Sequence, residues 1–155
     1  MELADILAED AVLDCTDVNS KRQLFDIMSE KAAQITGMNH GDILAAIVGR
    51  EELGSTGLGN GIAIPHGKLA GLSGVTAVFA RLDRAIDFDA VDDQPVDVVV
   101  MLLAPVGAGA DHLKALSRVA RLLRTESVID KLRHESDLQK IYALLTTPLE
   151  DNCAA

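Results

Sequence analysis

Gly54-Ser55-Thr56-Gly57-Leu58-Gly59-Asn60-Gly61-Ile62-Ala63-Ile64-Pro65-His66-Gly67-Lys68 is a Gly-rich loop that runs through a short apolar strand and delivers one histidine between a proline and a glycine. Pro65 fixes its own φ and biases Ile64 toward an extended backbone. Gly67 has access to φ values closed to other residues. A stiff residue behind and a permissive one ahead suit an imidazole that is presented to a partner rather than packed away. Two familiar glycine signatures are excluded by spacing. A P-loop needs four residues between its glycines and a hydroxyl after the lysine, but five separate Gly61 from Gly67 and Leu69 follows Lys68. A dinucleotide fingerprint opens a helix, whereas Gly57-Leu58-Gly59-Asn60-Gly61 has the wrong spacing and enters a strand.

Upstream of the loop, Leu3, Ile6 and Leu7 suggest a helical turn, and Val12-Leu13 a short strand. Ser20 caps a helix through about Ile35, with Leu24, Ile27, Met28 and Ala32 at helical spacing and Gly37 placed to end it. Asn39 opens a second helix whose inner face is Ile43, Leu44, Ile47 and Val48, and Arg50-Glu51-Glu52-Leu53 leads out of it. Downstream, Lys68 to Gly74 reads as a connection, Val75 to Leu82 as a strand, and Ile86-Asp87-Phe88 as a further short strand. Val96 to Leu103 is a near-continuous apolar run, the pattern of a central strand covered on both faces. The last third is helical: Leu113, Leu116, Ala120 and Leu123 mark one face of the first helix, with Asp111 as its N-cap and His112 just off the stripe. Glu126 to His134 and Asp137 to Leu145 form two more helices, with fraying expected from Thr146. Strands and helices in this order predict an α/β fold, a single-domain sandwich with a central mixed β-sheet flanked by helices, spanning residues 1–155 with a core of about 3–146.

The chain has 155 residues, enough for one full core, and with three Phe, one Tyr and no Trp that core rests on Leu, Ile, Val and Ala. No apolar run approaches the roughly 20 residues that span a bilayer. The acidic Met1-Glu2-Leu3-Ala4-Asp5 is unlike a secretory n-region, so the expected location is cytoplasmic, without membrane insertion. Fourteen basic residues against 24 acidic ones give a net charge of −10, which argues against nucleic acid and favours a basic protein partner. Cys15 and Cys153 have no CxxC spacing and read as two isolated thiols.

A neutral imidazole is a competent nucleophile near neutral pH, its free pKa being about 6.5. A phosphorylated imidazole is in turn a good donor, and the transfer needs positioning and charge neutralisation more than covalent help. The Gly-rich loop offers backbone N–H groups at Gly57, Gly59 and Gly61, and Arg50 a positive fork. Thr56 either donates its hydroxyl in the site or caps the loop backbone. Lys68 meets a partner or only water. His40 and His134 sit in no motif, and Arg118, Arg121 and Arg124 read as a solvated face.

Ser55 to Lys68 closely resembles the active-site signature of the EIIA proteins of the fructose/mannitol type in the bacterial phosphotransferase system, above all their nitrogen-regulatory branch. The stretch from Asp111 to Arg124 resembles the second signature of that family, and Arg50-Glu51 its Arg-Glu segment; the similarity runs from about Ser20 to Leu145. The resemblance implies that His66 accepts a phosphoryl group on Nε2, with His112 as auxiliary donor and Arg50 holding the phosphoryl, while Thr56, Gly57 and Gly59 line its place. It implies no cofactor and no metal. An HPr-like phosphocarrier would be the donor. Potassium transport regulators or sensor kinases are the kind of target implied, and a weak homo-oligomer is allowed. One departure is Val106, which stands where the family often has an acidic residue and bears on partner choice. The competing readings are a detached sugar-specific EIIA domain, a partner-binding module without transfer chemistry, and a metal hydrolase built on His66, His112 and Asp111, ranked last because no HExxH-like spacing exists.

Overall fold

The computed structural model describes residues 2–147. After a 3-10 turn at Leu3–Asp5 the chain enters β1 (Leu7–Cys15), a nine-residue strand where the sequence pattern predicted a helical turn through Leu7 and only a short strand at Val12-Leu13. The cause is an irregularity. The strand pairs in parallel with β5 (Thr76–Ile86), and its register shifts between Leu7↔Ala77 and Val12↔Phe79, which breaks the two-residue alternation that marks a strand.

Two helices follow. In α1 (Lys21–Thr36), Ser20 Oγ accepts the Gln23 N–H at 3.1 Å, and Gly37 at φ 74° donates its N–H to the Ala33 carbonyl at 2.9 Å. In α2 (His40–Glu52), Asn39 Oδ1 accepts the Asp42 N–H at 3.0 Å. Both starts and the Gly37 stop are as the sequence predicts. Leu24, Phe25, Met28 and Ala32 from α1 and Ile43 and Ile47 from α2 are buried, with Ile27, Leu44 and Val48 packed at the edge of the core.

The six strands form one mixed sheet. β6 (Val96–Pro105) runs antiparallel to β5 on one side. On its other side lie β3 (Ile62–Ala63) and β4 (His66–Leu69), both parallel to it, and β2 (Gly57–Gly59) pairs antiparallel with β3. The partners Ile62↔Val98, Ala63↔Val99 and His66↔Leu102 keep one constant offset. β3 and β4 are therefore a single line of backbone along the edge of β6, interrupted at Ile64-Pro65, where proline has no N–H to give. The Pro65 carbonyl still accepts the Leu102 N–H at 2.9 Å, so the line stays attached through the break.

Lys68 and Leu69 thus belong to a strand rather than to the expected connection. His66-Gly67-Lys68-Leu69 carries little local strand signal, and its conformation comes from the distant β6. β5 is also longer than expected and absorbs Ile86; Phe88 lies beyond it, fully buried, with its ring edge-on to Phe25 at 5.7 Å between centroids. In β6, every residue from Val98 to Ala104 is buried. Successive side chains of a strand point to opposite faces, so both faces of the sheet are covered there. α1 and α2 pack together against β5, β1 and β4. α3 (Ala110–Leu123), α4 (Glu126–His134) and α5 (Leu138–Thr146) form the second layer, against β6 and β1.

The start of α3 differs from expectation in two ways. Its N-cap is Gly109 at φ 54°, with no side-chain cap bond, and Asp111 lies exposed inside the first turn. Its buried face is His112, Ala115, Val119, Leu122 and Leu123, one residue earlier than a stripe set by Leu113, which is 65% exposed. His112 therefore lies on the inner face of the helix. α5 begins as predicted, with Asp137 Oδ1 accepting the Gln139 and Lys140 N–H groups at 2.9 and 3.3 Å. Cys15 is a free, half-buried thiol whose pKa is pushed up by burial and by Asp14. Cys153 and the expected fraying beyond Thr147 lie outside the described residues.

Candidate functional site

The break at Ile64-Pro65 builds the site. With Pro65 extended, the Ile64 carbonyl turns to face the ring of His66, and His66 Nδ1 lies 2.9 Å from that oxygen. A carbonyl can only accept, so in the neutral ring Nδ1 carries the proton and Nε2 keeps its lone pair. His66 is half-buried.

Along β4, His66 and Lys68 share one face while Gly67 and Leu69 are buried on the other. The second face meets α2. A Cβ built on Gly67 would stand 3.3 Å from the Cβ, C and O atoms of Ala46. Gly67 is not among the positive-φ glycines, so its role is close approach to a helix, not the unusual backbone angle the sequence suggested. Gly67→Ala should lower stability by about 1–3 kcal/mol, because the helix backbone at Ala46 cannot yield as a flexible side chain would. The fall in Tm should be about 2–4 °C per kcal/mol, read by thermal denaturation.

The first face meets α3. The rings of His66 and His112 are neighbours, 5.5 Å between centroids and tilted by 53°. His112 is 7% exposed, and its Nδ1 is buried with no hydrogen-bond partner. Burial lowers the pKa of His112, and the nearby His66 and Lys68 lower it further, so the ring is neutral at pH 7. In a neutral His112, a proton on Nδ1 would bury an N–H with nothing to accept it. Placing the proton on Nε2 avoids that cost and turns an N–H donor toward the cleft beside His66.

Arg50 lies in the last turn of α2 and donates from Nη1 to the Gly54 carbonyl at 2.9 Å. Ala46 abuts Gly67, and Thr56, just past the helix, accepts the Ile64 N–H at 3.1 Å. α2 therefore points toward the His66 end of β4, and Arg50 sits one turn beyond Ala46 on that side.

The other three candidates are engaged within the Gly-rich loop and its neighbours. Thr56 is buried, and its hydroxyl donates to Glu51 Oε1 at 2.6 Å, which ties it to the loop. The Gly57 N–H is donated to Ser55 Oγ at 3.1 Å. Gly59 pairs with Ile62, and a Cβ on it would meet the Asp92 carboxylate at 3.2 Å, a surrounding that repels an anion. Glu51, which the sequence offered only as part of the Arg-Glu segment, and Lys21, which it did not single out, stand directly behind the loop, joined at 2.9 Å. Among the described residues no group of three His, Cys, Asp or Glu side chains is arranged to hold a metal ion, and no helix is long and apolar enough to cross a membrane. His40 Nε2 lies 3.1 Å from Asp26 Oδ1, and His134 Nδ1 lies 2.8 Å from the Asp130 carbonyl, both away from this cleft.

An imidazole with one nitrogen fixed and a second imidazole beside it thus stand together on a mixed sheet held between two helical layers. Residues 5–147 match the family described as phosphoenolpyruvate-dependent sugar phosphotransferase system, EIIA 2, and the chain belongs to that family. It is 51% identical over 148 residues to a nitrogen regulatory protein of Bradyrhizobium diazoefficiens, with 96% of this chain and 97% of that one covered. Its fold is similar to the crystal structure of the nitrogen regulatory protein IIA-Ntr from Neisseria meningitidis, at a TM-score of 0.88 and 35% identity, over 93% of this chain and 99% of that one. The crystal structure of IIA mannitol from Escherichia coli shares the fold alone, at a TM-score of 0.75 and 21% identity over 89% of this chain and 97% of the other. Within the family, the chain stands in the nitrogen-regulatory branch.

Proposed function

We propose that the protein is a phosphohistidine carrier that takes a phosphoryl group from a small HPr-like donor onto His66 Nε2 and regulates target proteins by its phosphorylation state. The observation that carries this reading is the contact from His66 Nδ1 to the Ile64 carbonyl, which leaves Nε2 as the nucleophilic atom beside a neutral donor ring. The Nε2 lone pair forms the new N–P bond. The bond from phosphorus to the donor's imidazole breaks, and its electron pair returns to that ring. Onward transfer is the same exchange in the other direction, so the protein supplies positioning and charge neutralisation. His112 donates from Nε2–H to a phosphoryl oxygen. Arg50 gives up the Gly54 carbonyl to pair with another phosphoryl oxygen. Thr56 holds the loop, and Lys68 adds positive charge on the face shared with His66.

Partner docking is supported by three exposed apolar side chains on the segments around the cleft. Leu53 after α2 is 83% exposed, and Val106 before α3 and Leu113 in its first turn are each 65% exposed. The phosphoryl group adds about −1.5 to −2 charges to a chain whose net charge is already −10, which gives a target an electrostatic means to distinguish the two forms.

The test is incubation with an HPr-like protein charged from phosphoenolpyruvate, followed by intact-mass and peptide mass spectrometry. The expected result is a gain of one phosphate, labile in acid and stable in alkali, on the peptide that contains His66. No gain from a charged donor, or a gain on another peptide, overturns the reading.

A further inference from the structure

We propose that Glu51 is a positioning residue for the reaction at His66, acting through a relay of hydrogen bonds that sets which imidazole nitrogen carries the proton. The proposal rests on the reading of His66 as phosphoryl acceptor. Glu51 is nearly buried, its side chain 6% exposed, at the C-terminal end of α2. Its carboxylate receives Lys21 Nζ at 2.9 Å, the Thr56 backbone N–H at 3.1 and 3.2 Å, and the Thr56 hydroxyl at 2.6 Å. Lys21 is itself fixed from the other side, its ammonium 4.6 Å from the centre of the buried Phe88 ring. From Thr56 the relay continues. Its carbonyl accepts the Ile64 N–H at 3.1 Å, and the Ile64 carbonyl faces His66 Nδ1 at 2.9 Å. Each link is a direct contact, and together they join the start of α1 to the reacting ring.

A buried ion pair is a poor source of net stability, because desolvation offsets most of the attraction. What this pair does supply is direction. Both Thr56 donors are held by one carboxylate, which fixes Thr56, and Thr56 anchors Ile64 by its N–H while the carbonyl of the same residue meets His66 Nδ1. The neighbouring Arg50 holds Gly54, so the whole turn between α2 and β2 is fastened at two points. Around metal-bound histidines, groups that orient the ring through its second nitrogen change activity by about 10–100-fold when removed, and that sets the scale expected for an oriented His66.

Glu51→Ala severs the relay at its origin. Glu51→Gln keeps an oxygen for Thr56 but loses the ion pair to Lys21. Thr56→Val removes only the hydroxyl link and keeps the volume. In each variant the readouts are the tautomer of His66, from nitrogen-15 NMR of the imidazole, and the rate of phosphoryl uptake from a charged HPr-like donor, with thermal denaturation measured alongside. The expected result is a loss of the Nδ1-protonated tautomer and an uptake rate lower by about tenfold or more in Glu51→Ala, with smaller losses in the other two. A merely structural clamp would lower Tm and leave the tautomer unmoved; that outcome in any folded variant of Glu51 overturns the proposal. If Glu51→Ala does not fold, Glu51→Gln and Thr56→Val decide it by the same criteria. The tautomer is read without phosphate. A wild-type protein that takes up no phosphoryl group would therefore defeat the carrier reading while the NMR result still judged the relay.

Discussion

His66→Gln should take up no phosphoryl group from a charged donor, whereas His112→Gln and Arg50→Gln should still do so at rates lower by about 10²–10³-fold. The difference follows from what each side chain contributes. In the proposed transfer His66 supplies the atom that forms the bond, and a carboxamide in its place has no comparable lone pair. His112 cannot substitute as acceptor, because it is 7% exposed and one of its nitrogens is sealed in the core. It contributes one N–H to a developing charge, and losing one such donor costs about 3–4 kcal/mol in the transition state. Arg50 contributes a fork that a lysine does not reproduce, so Arg50→Lys should recover only part of the rate. Pre-steady-state transfer measured by quenched-flow separates the cases. Labelling of His66→Gln at another residue would reassign the acceptor. Uptake by Arg50→Gln at the wild-type rate would mean that the guanidinium stays on the Gly54 carbonyl throughout.

What could be read from the sequence followed from local chemistry. Ser20, Asn39 and Asp137 announce helix starts because a side-chain oxygen next to an amphipathic run meets orphan N–H groups, and Gly37 announces a stop by tolerating φ 74°. Val96 to Leu103 announces a central strand because burial on both faces removes alternation. Features set by distant partners were hidden. β4 exists because β6 offers it a register, and β1 is obscured by its own irregularity. The inner face of α3 was misread by one residue because a leucine, Leu113, sits exposed near the cleft while a histidine points inward. The same exchange marks the site. A polar side chain occupies an apolar position and an apolar one faces solvent, a local conflict that folding alone does not favour and that function can explain. Glu51 enters the sequence reading only as part of the Arg-Glu segment and with no role of its own, since a carboxylate at the exposed end of a helix looks like any solvated charge until the loop returns to cover it.

The protonation of His112 should reverse when the carrier is loaded. Without phosphate, burial, His66 and Lys68 together keep its pKa below the ordinary 6.5. An unfolded chain has no such restraint, so as the pH falls below about 6.5 the unfolded state binds a proton that the folded state resists. The unfolded state then holds more protons, and folding stability declines with falling pH until the folded-state pKa is passed. His112→Gln should flatten that decline in denaturant titrations across the same window. A phosphoryl dianion on His66 changes the sign of the local field: it favours the cationic ring and opposes the effect of burial. In the phosphorylated protein, the NMR titration of His112 should therefore move to higher pH, and the stability decline below about 6.5 should weaken or invert. A His112 titration that phosphorylation leaves unmoved would show that the ring does not face the phosphoryl group, and the slower transfer expected of His112→Gln would then need a cause other than a lost hydrogen bond.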